Sequence, residues 1–341
     1  SGAPPMTCAS WVSARKAARR ILPVLVAAIL TGCSMDGMRS LSSDAAHGVG
    51  GDLQTGDWPT YGGDAGAMKY SPVTDIDRGN VANLVEAWSW DTGDEPISGP
   101  RLPVTGQRER PGKFKTTPVV LNDTMYLSTP YNRVVALDAD SGSEIWSYDP
   151  HTTEWGQPPN GTGFVHRGVA VWTGSGERRV FINSRWRLIA LDSRTGEPIE
   201  SFGRDGEIDL TEHLIWRTNP LHYTQTSPPV IYDDLIILGN GVWDGFVYER
   251  DPPGSIKAFD VHTGELVWSF GLIPQEGEFG NDTWEGDSWN RVGHSNAWAP
   301  LSVDLERGLV FVPVGTPSND YYGGDRLGDN LFAESLVALD A

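Results

Sequence analysis

The stretch VVALDADSGSEIW, Val134 to Trp146, reads as an apolar strand, a tight turn and the start of a second strand, and it returns along the chain. LIALDSRTGEPIE follows from Leu188, IKAFDVHTGELVW from Ile256, and the last six residues, LVALDA, begin it a fourth time. The equivalent alanines, Ala136, Ala190, Ala258 and Ala338, stand 54, 68 and 80 residues apart. A fixed motif at a variable period is one supersecondary unit carrying loops of different length. Within each copy the apolar residues before the Asp suit a buried strand, and Asp followed by Thr-Gly or Ser-Gly suits a turn whose Gly takes positive φ. Ten residues beyond the Ala stand Trp146 and Trp268, where an indole can lie across the Gly of a neighbouring unit. The second copy has Glu200 there, so its junction is expected to be weaker or packed differently.

Four-stranded sheets stacked radially make a β-propeller, which leaves only short, protected edges. A solenoid is the alternative, but solenoid repeats are shorter and more uniform. Composition agrees with an all-β chain. The 341 residues include 40 Gly, 24 Pro and 14 Trp, with no long amphipathic helical run. The net charge of -19 argues against nucleic acid, which needs a basic face to displace phosphate counterions.

The N-terminal region is read separately. After Met6 come the basic stretch ARKAARR, the apolar run ILPVLVAAIL and then TGCS, the order of a signal peptide and too short for a stable spanning helix. LTGC resembles a bacterial lipobox, in which Cys33 is lipidated and becomes the mature N-terminus; an ordinary secretory signal with an incidental Cys is the plainer alternative. Cys8 lies in the removed part, so the mature chain has no disulfide to lean on. The expected division is a lipoprotein signal over 1–33, a Ser-, Gly- and Asp-rich flexible tether over 34–56, and a propeller segment over 57–341.

The repeat ALDxxTGxxxW resembles the tryptophan-docking motif of the pyrroloquinoline quinone (PQQ) dehydrogenases, and DWPTYGGDAGAMKYSPVTDID from Asp57 resembles the opening segment of that family. TSPPVI, SNAWAP and VPVGTPSNDYYGG resemble the glucose-dehydrogenase-like branch. The alcohol branch carries an adjacent Cys pair before its RG motif, whereas GTGFVHRGVAVW has no cysteine. The resemblance implies an eight-bladed propeller of which about half is present, so the chain is expected to be the N-terminal part of a longer protein.

PQQ is a flat tricarboxylate with an electrophilic ortho-quinone, so its pocket needs cations or donors, flat walls and a metal. By resemblance, Arg167 pairs with a PQQ carboxylate, a role that suits a planar guanidinium. Thr226 in QTSPP donates to the cofactor, and Trp298 in SNAWAP forms one wall of its slot. Taken alone, each would read as a surface arginine, a plain strand residue and core aromatic packing. His166 is a candidate for the opposite wall, with a histidine that packs or hydrogen-bonds locally as the alternative, because the family's histidine stands four residues before the arginine, where this chain has Gly163. Asp244 in GVWDGF matches a calcium-ligand position and Thr316 in VGTPSND falls at another, with a hydroxyl the poorer ligand. The acidic loop EGEFGNDTWEGDSW fits no EF-hand spacing and is expected to be a solvated loop. The family's catalytic aspartate lies downstream of the fourth docking motif, outside this chain, so no residue here is given that role.

Two functions follow. The first is a quinoprotein dehydrogenase that oxidises a sugar or alcohol hydroxyl with PQQ and calcium and passes electrons to a respiratory quinone or cytochrome, periplasmic and lipid-anchored through Cys33. The second is a non-catalytic propeller lipoprotein of the outer-membrane assembly type, since one scaffold serves both roles. The scaffold has no need of Arg167, Thr226, Asp244 and Trp298 at cofactor-matching positions. No Gly-rich phosphate loop, nucleophile elbow or HExxH motif is present in the sequence.

Overall fold

A computed structural model describes residues 53–54, 56–97, 111–158, 160, 163–242 and 248–341. The signal, Cys33 and most of the tether fall outside the described residues, as does Asp244. Four antiparallel sheets follow one another along the chain, each a meander of sequential neighbours. The first holds β1 (Val119–Leu121), β2 (Thr124–Ser128), β3 (Val134–Asp138) and β4 (Glu144–Tyr148). The second holds β5 (Ala170–Gly174), β6 (Glu177–Ser184), β7 (Arg187–Asp192) and β8 (Glu207–Asp209). The third holds β9 (Val230–Tyr232), β10 (Leu235–Leu238), β11 (Ser255–Asp260) and β12 (Leu266–Gly271). The fourth has three strands, β13 (Ser302–Asp304), β14 (Leu309–Pro313) and β15 (Leu336–Asp340). This is the all-β propeller arrangement expected from the repeat, and the recurring motif is the third strand of every sheet.

The turn that follows the motif is built by its Asp. Asp138 Oδ1 accepts from the Ser141 hydroxyl at 2.7 Å and the Ser141 N–H at 2.8 Å, while Gly142 N–H donates to the Asp138 carbonyl at 2.8 Å. Asp192 and Asp260 repeat the arrangement with Thr195 and Thr263, and the closing glycines Gly142, Gly196 and Gly264 all take φ between 69° and 75°. In β3–β4 and β11–β12 the register shifts just after the Ala, which leaves Ala136 opposite Trp146 and Ala258 opposite Trp268. The extra residues, Ile145 and Val267, point to solvent while the tryptophans turn inward.

The first and second sheets meet through Trp146, and Trp88, ahead of the first sheet, makes the same contact on it. A Cβ on Gly142 would sit 2.4 Å from the Trp88 ring, and one on Gly196 would sit 2.4 Å from the Trp146 ring. Trp88 Nε1 donates to the Ala139 carbonyl at 3.1 Å and Trp146 Nε1 to the Ser193 carbonyl at 2.9 Å, in each case the residue after the motif Asp. The junction that follows Glu200 is packed differently, as expected. Residues 199–206 loop out between Pro198 and β8, so Ile208 and Phe202 cover Gly264 instead of an indole. The carbonyl one past Asp260, that of Val261, is met by the Arg179 guanidinium at 3.1 Å, and Gly203 N–H donates to Thr263 O at 2.8 Å.

The segment before the first sheet ties its ends together. Trp58 exchanges backbone hydrogen bonds with Val120 at 2.8 and 2.9 Å, and Ala65 O accepts from Val303 N–H in the fourth sheet at 2.7 Å. Beneath it a small, mostly apolar cavity is lined by Tyr61, Val169, Pro229 and Leu301 among others. Beyond that segment's own residues, the rest of the lining comes from first strands and the residues leading into them, and those strands lie side by side, β5 against β9 and β9 against β13.

Trp146→Ala should therefore cost about 3–5 kcal/mol, because it removes a buried indole and leaves a junction open. Glu200→Ala, at the equivalent position of the next copy, should stay within about 0.5 kcal/mol. Urea melts of the two variants against the parent check the contrast; equal losses would place the docking energy elsewhere.

Candidate functional site

The residues that lead into the first strands of the second, third and fourth sheets carry the predicted site. Arg167 stands three residues before β5, Thr226 four before β9 and Trp298 four before β13. Because those strands are neighbours, their lead-in ends converge. Arg167 Nη1 donates to the Thr226 hydroxyl at 2.7 Å, to the Thr226 carbonyl at 3.0 Å and to Ser227 Oγ at 3.4 Å. Its guanidinium carbon lies 5.0 Å from the centroid of the Trp298 ring. Three of the predicted residues thus form one surface.

Each is fixed locally. Thr117 N–H donates to the Arg167 carbonyl at 3.0 Å, and Gly168 (φ 139°) passes so close to Thr117 O that a Cβ there would stand 2.8 Å away. Gln225 Oε1 accepts from the N–H groups of Thr226 and Ser227 at 2.7 and 3.3 Å. Ser227 Oγ donates to the Trp298 carbonyl at 2.6 Å. Gln225 and Ser227 were not among the residues the sequence singles out; nothing but their neighbourhood to Thr226 signals them. Trp298 runs between two glycines, Gly241 and Gly315, and its ring remains 48% exposed.

The electrostatics of the surface suit an anion. Burial pushes the Arg167 guanidinium below its ordinary pKa, and among the described residues no carboxylate lies within ion-pair range of it. A half-buried cation held only by neutral oxygens, beside an open indole face and a hydroxyl, fits a flat polyanion such as PQQ.

His166 sits elsewhere. It is 1% exposed, its Nδ1 accepts from Gly168 N–H at 3.2 Å and lies 3.2 Å from Ser128 Oγ, so the ring packs inside and presents no open face beside Trp298. Thr316 is partly exposed; its hydroxyl donates to Glu334 Oε1 at 2.7 Å, which leaves its lone pairs free, and its carbonyl accepts from Ser295 N–H at 3.2 Å. Its loop meets that of Trp298 again where Gly315 N–H donates to Asn296 O at 2.8 Å. Asp244 lies outside the described residues. The acidic loop is not merely solvated: Trp284 Nε1 donates to the Leu331 carbonyl at 2.6 Å and Glu285 N–H to Leu327 O at 2.9 Å, which fasten it to the 327–331 segment.

The family signature described as "PQQ: Glucose/ethanol/alcohol dehydrogenase, beta-propeller domain" matches residues 58–341. The chain is 35% identical over 298 residues to the quinoprotein glucose dehydrogenase of Escherichia coli (strain K12), covering 84% of this chain and 35% of that protein. It is 32% identical over 302 residues to the quinate/shikimate dehydrogenase (quinone) of Acinetobacter baylyi, covering 83% and 36%. Among solved structures, the quinohemoprotein alcohol dehydrogenase from Comamonas testosteroni superposes with a TM-score of 0.65 at 28% identity, covering 83% of this chain and 39% of that one. The chain therefore spans little more than a third of the length of these relatives.

Burial holds the His166 imidazole down at about 4, with the Arg167 charge acting in the same direction. The unfolded chain takes up that proton near 6.5, so folding stability falls as pH drops from about 6.5 to about 4, by roughly 3 kcal/mol at the limit. His294 is also held at about 4 by burial, but Asp251, raised to about 6 by burial, works with the opposite sign over much of that range. His166→Gln should accordingly flatten the acid-side slope of the urea midpoint between pH 6.5 and 4. An unchanged slope would show that the ring takes up its proton without unfolding cost.

Proposed function

The chain belongs to the PQQ-dependent glucose, ethanol and alcohol dehydrogenase β-propeller family, and from that premise we propose that it forms the cofactor-holding half of an enzyme that oxidises a sugar or alcohol hydroxyl, glucose-type first. The observation that carries the proposal is the Arg167 guanidinium, half-buried, without a carboxylate among the described residues, and set against the Trp298 face and the Thr226 hydroxyl. When bound, PQQ supplies the ortho-quinone that accepts the hydride. Arg167 holds one of its carboxylates, Thr226 donates or accepts at its rim once Arg167 turns toward the ligand, and Trp298 supplies a flat wall. His166 acts through the backbone of the 166–168 segment that carries Arg167. Asp244 and Thr316 are the proposed calcium oxygens, and Glu334, already hydrogen-bonded to Thr316, offers a carboxylate beside that residue. The electron acceptor is proposed to be a respiratory quinone or cytochrome, and the chain to be exported and held to a bacterial membrane through a lipid on Cys33.

Arg167→Ala should weaken PQQ binding by roughly ten- to a thousandfold, since it removes a charge-assisted pair, and added calcium should not restore it. Asp244→Ala should instead raise the calcium requirement, with excess metal recovering part of the binding. Titration of the apo-protein with PQQ, read by quenching of tryptophan fluorescence, checks both. Wild-type protein that binds no PQQ at micromolar concentration with calcium present would leave the scaffold reading in its place.

The anchor is checked separately. Cys33→Ala should move the protein from the membrane to the soluble fraction of cells; retention in the membrane fraction would overturn the lipobox.

A further inference from the structure

Three loops border the site: 248–255 between β10 and β11, 291–298 before β13, and 314–319 after β14. The second carries Trp298 and the third Thr316. One buried carboxylate touches all three. Asp251, 0% exposed, accepts from the Ser318 hydroxyl at 2.7 Å through Oδ2, and the same oxygen lies 3.3 Å from His294 Nε2. Its own carbonyl accepts from Trp216 Nε1 at 2.9 Å. His294 is 1% exposed and Ser318 2% exposed, so the cluster is sealed from solvent.

The backbone around the cluster is interlocked. Ser318 N–H donates to Gly293 O at 3.3 Å, Ser295 N–H to Thr316 O at 3.2 Å and His294 N–H to Pro252 O at 2.8 Å. A Cβ on Gly293 would meet Asp251 Oδ1 at 2.1 Å, and one on Gly254 would meet Ser295 O at 2.1 Å. The residue types are those of a hydrolytic triad, but the connectivity is not. Serine and histidine both address one carboxylate oxygen, and all three side chains are buried. Burial raises the carboxyl to about 6 and lowers the imidazole to about 4, which suits a cluster held by hydrogen bonds and not by a full ion pair.

We propose that Asp251, with His294 and Ser318, is a positioning cluster that sets the Trp298 and Thr316 loops against each other. The cluster touches no predicted cofactor residue directly; it fixes where their backbones lie. Its bearing on cofactor binding rests on the function proposed above, whereas the loop ordering does not.

The test uses the whole protein with Asp251→Ala, Asp251→Asn and Ser318→Ala. Amide hydrogen exchange is followed at Ser295, Gly315 and Ser318, whose N–H groups cross between the two loops, and at Ile256 to Phe259 of β11 as an internal reference. Asp251→Ala should speed exchange at the three loop amides by tenfold or more while β11 stays within about threefold. Asp251→Asn keeps the acceptor for Ser318 and should recover most of the protection, and Ser318→Ala should fall between. Acceleration spread equally over β11, or no acceleration in any variant, overturns the positioning role. A parallel PQQ titration with calcium separates the two claims: wild-type protein that binds no PQQ defeats the functional reading while the exchange result still decides the cluster. Where wild type does bind, unaltered affinity in Asp251→Ala would overturn the link between loop order and the site.

Discussion

The indole of Trp146 occupies the space where a Cβ on Gly196 would have to sit, and its Nε1 reaches the carbonyl one residue past the motif Asp of the next sheet. This contact makes a set of separate meanders into a propeller. It demands three things at once: a glycine with positive φ, a carbonyl presented at a fixed distance from it, and a bulge that turns the tryptophan toward the neighbour. The Asp supplies the first two, because its carboxylate caps the turn that places both the glycine and the carbonyl. Hydrogen bonding to Ser141 holds the Asp138 carboxyl below the usual carboxylate range, so the turn keeps its charged cap at neutral pH. A junction fixed this way sets the angle between sheets, and the angle decides where the first strands meet.

The site is a consequence of that geometry. Arg167, Thr226 and Trp298 are far apart in sequence but occupy matching places ahead of β5, β9 and β13, and side-by-side first strands bring such places together. The price is a guanidinium drawn out of water beside neutral oxygens. In the absence of an anion that arrangement is unfavourable, and a carboxylate that reaches Arg167 gains the full charge-assisted interaction in a partly desolvated setting. A flat anion is therefore the ligand that this surface suits.

The sequence made the repeated strand and turn legible because Asp, Gly and Trp each have a specific mechanical task at a fixed offset. Trp88 escaped that reading: no ALD motif precedes it, although its ring docks on Gly142 as Trp146 does on Gly196. The Glu200 junction showed only that something differed. Phe202, Ile208 and Arg179 replace the indole from three separate segments, and no spacing rule connects them. Within the site, the resemblance to a known family located Arg167, Thr226 and Trp298, and the fold joined them. The His166 ring turns inward, which is the local-packing alternative to the wall role. Successive side chains along extended backbone point to opposite sides, so a residue beside an outward-facing arginine goes to the interior. Asp251, His294 and Ser318 lie in three different loops, and only the assembled structure brings them together.

Trp298 shows how such a surface can be both open and ordered. A ring that is 48% exposed has too little side-chain packing to fix it, so its orientation has to come from its backbone. Glycines stand on either side of the residue, Gly241 at its Cβ and Gly315 at the indole edge. A Cβ on Gly239 would meet Ala297 O at 2.5 Å, and Gly241 and Gly315 leave only ordinary contact distances to Trp298 itself. Ser227 binds its carbonyl, and the strap from Gly315 to Asn296 fixes the residues before it. Main-chain contacts of this kind lose little when a ligand arrives, because the rotamer-rich part of the site is confined to Arg167. The entropic cost of binding then falls mainly on one side chain, which already has one Nη held by Thr226. A flat ligand meets a wall that is in place before it arrives, and a single arginine that must exchange its neutral partners for a charge.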